Sequence, residues 1–232
     1  MDSISYNPSE QKLALSSFIT KVYGWMSVAL AITALAAVFV ADTPGIREVI
    51  LGNRIVFYVL IFGEFGLVMA ISAAINRMSS MTATLLFILY SLVNGLTLSV
   101  IFMVYTASSI STTFFVTAGT FGAMSIIGYT TKRDLTSMGN LLIMALIGIV
   151  IGSFVNFFVH STAFGYVLTY LGILVFVGLT AYDTQKIKEM GAAGFDTSDA
   201  RQKGAILGAL SLYLDFINLF LLLLRLFGNR RN

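Results

Sequence analysis

Seven runs of this chain meet the length and apolarity that a bilayer crossing demands. A hydrocarbon core takes roughly 20 apolar residues per helix. The runs lie at about 22–41, 56–75, 82–105, 114–130, 140–160, 166–185 and 204–227. Composition agrees: 57% of the 232 residues are hydrophobic and only 11% are charged, and mean hydropathy is +0.89. A soluble domain carries about 25% charged residues. The reading is an all-α integral membrane protein with seven transmembrane helices. The two prolines, Pro8 and Pro44, fall outside the runs, so every span is expected to be an uninterrupted helix.

The chain divides into a polar N-terminal segment at 1–21, a transmembrane domain at 22–228 and a tail at 229–232. Asn7-Pro8 reads as a cap and first-turn proline opening a short surface helix. The first run is too long for a signal-peptide core and is read as retained. With seven crossings, one face collects Lys12, Lys21, Arg77, Lys132, Arg133, Lys186, Lys188, Arg201 and Lys203. The other collects Arg47, Arg54, Arg230 and Arg231. Nine against four places the N-terminus in the cytosol and the C-terminus outside. The segment 186–203 reads as the largest cytosolic loop. Small-residue pairs at Ala118/Gly122, Gly148/Gly152 and Gly204/Gly208 read as ordinary helix packing.

Polar residues inside the spans are few. In span 7, Gly204, Gly208, Ser211, Asp215, Asn218, Leu222 and Arg225 are spaced four, three, four, three, four and three. At 3.6 residues per turn they share one stripe. An Asp or Arg at mid-membrane costs about 2.5–3.5 kcal/mol on insertion scales. The stripe is therefore expected to face protein or water, which makes span 7 a central helix. Asp215 sits ~15 Å into the membrane and Asp183, near the cytosolic end of span 6, ~5 Å. Snorkelling of Lys186 and Lys188 lets Asp183 sit deeper. The sequence permits the two carboxylates to meet without requiring it.

If they meet in a dry site, they titrate as a unit around a shared proton. Deprotonated, they offer oxygen ligands suited to a hard cation such as Ca²⁺. Two ligands are too few for storage and favour transit. Tyr182 and Tyr213, each near an aspartate, are candidate donors to it or simply core aromatics. Glu64 in span 2 and Arg225 share the outer half, and an ion pair between them fits the geometry. Arg77 shares the cytosolic end with Asp183. Asn94 and Asn156 read as interhelical glue. His160, the single histidine, reads as a helix-end or capping residue. It excludes a multi-His metal site, and the absence of cysteine excludes thiolate chemistry.

Two stretches carry a family resemblance: "GLTAYDTQKIK" at 178–188 and "ALSLYLDFINLFLLLLRLFG" at 209–228. Together with "GYTTKRDLTSMG" at 128–139 and "ALIGIVIGSFVNFF" at 145–158, they resemble the Bax inhibitor-1 family, specifically its bacterial inner-membrane members. The resemblance implies six helices surrounding helix 7. It implies a pH-sensitive Ca²⁺ leak, with Asp183 and Asp215 at the positions of the family's pH-sensing pair. It also implies pairing of the helix 2 acid, Glu64, with the late arginine, Arg225. The family's helix 2 arginine latch has no clean counterpart; Arg77 is nearest. A membrane-bound AAA protease is an implied partner of one bacterial relative. The cell-death biology of eukaryotic relatives is not carried over.

The expected function is a pH-sensitive Ca²⁺ leak of the bacterial inner membrane, with Ca²⁺ and protons as traffic and no cofactor, enzymatic activity or nucleic-acid partner. Its rival is a membrane adaptor that binds a protease or other membrane proteins. An intramembrane aspartyl protease uses two carboxylates on adjacent helices. Here Leu212, Tyr213 and Leu214 precede Asp215 in place of the glycine-rich context such an enzyme needs.

Overall fold

The computed structural model describes residues 8–231, and the Asn7 cap lies outside them. Among these residues the chain is built from α-helices and no strand forms beyond one isolated bridge. The helices are α1 (Pro8–Asp42), α2 (Pro44–Leu51), α3 (Arg54–Ala74), α4 (Ser80–Leu98), α5 (Ile101–Val104), α6 (Ala107–Thr130), α7 (Thr136–Val159), α8 (Thr162–Ala193) and α9 (Ser198–Phe227). A short 3₁₀ turn, Ile75–Arg77, follows α3. Among the described residues seven helical segments are long and apolar enough to cross a membrane, and they match the seven runs.

Three details depart from the sequence reading. The short lead-in helix does not exist as a separate element: α1 runs unbroken for 35 residues. No proline or capping residue interrupts it after Pro8, so the polar start simply continues into the span. At 1.5 Å per residue it is ~52 Å long, well beyond a ~30 Å hydrocarbon core. The segment 186–203 is mostly helix, because α8 continues to Ala193 and α9 begins at Ser198. Only 194–197 turn the chain, and Gly194 does so at φ +82°, where a side chain would be strained.

The third span is interrupted at Ser99 and Val100. No proline is needed to do this. Ser99 Oγ donates to the Leu96 carbonyl at 2.6 Å and Thr97 Oγ1 lies 2.9 Å from the Asn94 carbonyl. Hydroxyls that claim backbone carbonyls compete with the helical ladder.

The chain forms two compact units: Met1–Val100 with Ile187–Ser211, and Ile101–Lys186 with Leu212–Asn232. In the first, α1 packs on α4 and α3 on α4. Thr33 Oγ1 reaches the Ser91 carbonyl at 2.9 Å, and Gly95 admits the α1 backbone where any side chain would collide with Thr33 and Ala36. The tip of the α8–α9 hairpin is held by Arg201, whose guanidinium donates to Ala14 O and Ser17 Oγ at 2.8 and 3.0 Å. Asp199 accepts from Ser80 N at 2.9 Å and pairs with Lys203 at 3.0 Å. Gly208 lets Ile187 and Val22 close over α9.

In the second unit, Val175, Phe176, Leu179, Leu219 and Leu223 form a core against which Leu142, Leu146 and Ile149 of α7 pack. Phe216 of α9 meets Phe114 and Phe121 of α6 edge-on, with centroids 5.4 and 5.5 Å apart. Of the expected small-residue pairs, Gly152 touches Leu168, whereas Gly122 and Gly148 face open space.

Candidate functional site

The chain's spans differ sharply in burial. Of the α9 apolar window 67% is buried, against 6% for α3 and none for α7. Leu212, Leu214, Phe216 and Ile217 flank the intramembrane acid along α9. Asp215 is 4% exposed. Its carboxylate oxygen Oδ2 is buried with no hydrogen-bond partner among the described residues. A buried polar atom without a partner costs about 1–3 kcal/mol, more when charged. Such a site needs an explanation other than packing.

Asp183 is its electrostatic neighbour within the second unit: the Asp183 charge acts on Asp215. Asp183 is half-buried, and the ammonium of Lys186 one turn along α8 also acts on it. Around Asp183 the backbones come close. A Cβ on Gly128 would strike the Ala181 carbonyl, and one on Gly139 would strike the Tyr182 ring. Two glycines thus let α6 and α7 close on the α8 turn that carries Asp183. Gln185 locks the same turn to the α6–α7 loop, accepting from Leu135 N and donating to Arg133 O, both at 2.8 Å.

The supporting residues take varied positions. Tyr182 packs its ring on Gly139, with Lys186 Nζ 6.0 Å from the ring centroid. Tyr213 is fully buried. Asn218 turns back to its own helix, donating to Leu214 O at 2.8 Å, and Ser211 is half-buried. Arg77 is exposed in the 3₁₀ turn.

Glu64 and Arg225 belong to different units, and each has neighbours within its own. Glu64 Oε2 accepts from Asn94 Nδ2 at 2.9 Å, and Oε1 lies 2.5 Å from Thr97 Oγ1. Asn94 is thus interhelical glue as expected. Thr97 went unread, although its i+3 spacing from Asn94 puts both on one face of α4. The Glu64 charge also reaches buried Tyr90. Arg225 is exposed, with a guanidinium nitrogen against the backbone of Gly165. His160 ends α7 in the left-handed conformation at φ 55°, its Nδ1 2.9 Å from Phe158 O. No group of three or more His, Asp or Glu able to hold a metal occurs among the described residues.

Comparison with known proteins places this architecture. The family model described as "Inhibitor of apoptosis-promoting Bax1" matches residues 15–232. An Escherichia coli protein, "Inner membrane protein YbhL", is 54% identical over 224 residues, covering 96% of this chain and 95% of its own. An uncharacterized protein of Borreliella burgdorferi is 48% identical over 223 residues, covering 96% of both chains. An uncharacterized membrane protein of Streptococcus pyogenes is 34% identical over 229 residues, covering 98% of both. A match across nearly the whole chain, joined to seven membrane-length helices, makes this a membrane protein of the Bax inhibitor-1 family.

Proposed function

We propose that the protein is a pH-responsive cation leak of a bacterial inner membrane, with Ca²⁺ as the permeant ion and the Asp183–Asp215 pair as its gate. The observation that carries this reading is the partnerless Oδ2 of Asp215 deep in α9. Packing does not require a carboxylate there, and the charge that acts on it is a second carboxylate, Asp183. Two such groups share a proton, so their charge and spacing respond to pH. When both ionise they repel one another and attract a hard cation, which draws its remaining ligands from water and carbonyls. Lys186 sets the field on the Asp183 side. The deep burial of α9 supports its role as the central helix on which the gate is built. The inner-membrane name of the Escherichia coli relative supports the location, and the nine-to-four distribution of Lys and Arg supports a cytosolic N-terminus.

The test is Ca²⁺ flux into dye-loaded liposomes as pH is varied. Wild-type flux changes with pH. Asp215→Asn and Asp183→Asn each flatten the profile, with flux altered by about tenfold, the equivalent of ~1.4 kcal/mol. Flux equal to that of empty liposomes at every pH rejects the leak and leaves the adaptor reading.

A further inference from the structure

A second polar site lies at the opposite end of the second unit, where α7 turns into α8 beside the end of α9. A cavity of about 290 Å³ opens there, and its charged lining is entirely cationic or imidazole: Arg225, Arg230 and His160. Asn156, Ser161 and Tyr166 add amide and hydroxyl groups, and among the described residues no carboxylate lines it. The unit's three acids, Asp134, Asp183 and Asp215, sit at or toward the other end of its helices. The 24 residues of α7 alone separate the two ends by ~36 Å. The arginines therefore converge on a cavity with no counter-charge in its wall among the described residues.

The wall is built, not incidental. Gly165 leaves the space its side chain would fill to the Arg225 guanidinium and the Asn156 amide, whose nitrogens lie 2.8 and 3.2 Å from where a Cβ would stand. Asn156 Oδ1 accepts from Ser161 N at 3.1 Å, which leaves its NH₂ beside the guanidinium as a further donor. Arg230 is fixed by backbone pairing: its stretch bridges to Tyr105, with Thr106 N to Asn229 O at 3.1 Å and Arg231 N to Val104 O at 2.9 Å. On the two helices that flank the cavity, Phe157 and Phe158 of α7 and Tyr166 and Tyr170 of α8 are each about half or more exposed. Aromatics of this kind mark the headgroup level of a membrane.

Converging guanidiniums with amide and hydroxyl donors match the oxygens of a phosphate. Basic pockets between transmembrane helices bind lipid headgroups. We infer that this cavity is a phosphate-binding site, occupied by the phosphodiester of an anionic membrane lipid whose acyl chains lie along the exposed aromatics of α7 and α8. The site is separate from the aspartate pair and does not depend on the leak reading.

The test uses the full-length protein in neutral detergent, with phosphatidylglycerol, phosphatidylcholine or inorganic phosphate added. Lipid adducts are counted by native mass spectrometry and thermal unfolding is followed in parallel. Wild type retains phosphatidylglycerol and unfolds several degrees higher in its presence. The double variant Arg225→Gln/Arg230→Gln binds it about tenfold or more weakly. Gly165→Leu, which keeps both arginines but drives a side chain into the Arg225 guanidinium and the Asn156 amide, loses adducts too, and Arg230→Gln alone serves if the double variant does not fold. Equal binding of phosphatidylcholine assigns recognition to the phosphodiester alone. Competition by millimolar inorganic phosphate, with the same stabilisation, identifies a soluble phosphate as the occupant. Adduct retention and stabilisation that are the same in wild type and in the folded variants overturn the assignment.

Discussion

Asp134 illustrates how a single exposed side chain shapes a helix start. Leu135 stands at the cap position of α7 and makes no side-chain cap bond. Asp134 substitutes for it, accepting from Thr136 N at 2.8 Å. Hydrogen bonding from the Thr136 side chain, and then from its backbone N–H, holds the carboxyl below the usual aspartate range. A carboxylate depressed in the folded state stabilises fully above its unfolded value and stops doing so as pH falls through its folded one. Asp134→Ala therefore lowers the melting temperature slightly at neutral pH, and the gap from wild type closes in acid. Melting curves at several pH values check this. At the same scale, Asp215 was legible because a lone acid in an apolar run announces itself. The partners of Glu64 were not: Asn94 and Thr97 lie 30 and 33 residues away. Only the docking of α3 on α4 brings them within reach.

Among the helices, closeness of approach is set by glycines whose role no hydropathy plot shows. Gly95 sits where α1 and α4 nearly touch, with Thr33 O 2.5 Å and Ala36 Cβ 2.6 Å from an added Cβ. Gly119 of α6 faces open space. Gly95→Leu forces two backbones apart and costs about 1–3 kcal/mol or more, along with the Thr33–Ser91 bond. Gly119→Leu leaves the unfolding temperature near that of wild type. Thermal unfolding of the two variants in detergent makes the comparison. Hydropathy placed all seven spans because it measures length and apolarity, the two quantities a bilayer selects. It missed the break at Ser99 because that break comes from hydroxyl-to-carbonyl bonds within one turn. It also took 186–203 for a loop because charged residues extend helices into water as readily as they form turns.

For the molecule as a whole, seven crossings would place the termini on opposite sides of the membrane. The proposed orientation, drawn from the Lys and Arg distribution, has the N-terminus in the cytosol. Reporter fusions distinguish the sides: green fluorescent protein glows when fused to the N-terminus, and alkaline phosphatase is active when fused after residue 232. Activity of the opposite pair reverses the orientation. The aspartate position could be read from the sequence, since it needs only helical spacing along one run and the family signature. The cationic cavity could not. It draws on the end of α7, the start of α8, the end of α9 and the tail, and its residues scatter over 156–230 with no common period.

The chain's last residues have a part that their brevity conceals. Residues 229–231 are stitched to 102–109 by backbone pairing, by Asn229 N to Ser109 Oγ and by Arg231 to the Phe102 carbonyl. Trimming them would strip the Val104 carbonyl and the Thr106 amide of their mates at a place where the main chain has already left its helix. It would also cut loose one of the two guanidiniums beside the α7–α8 turn. A peptidase that nibbled off the last four residues would thus unfasten a seam, and with it a corner of the second unit.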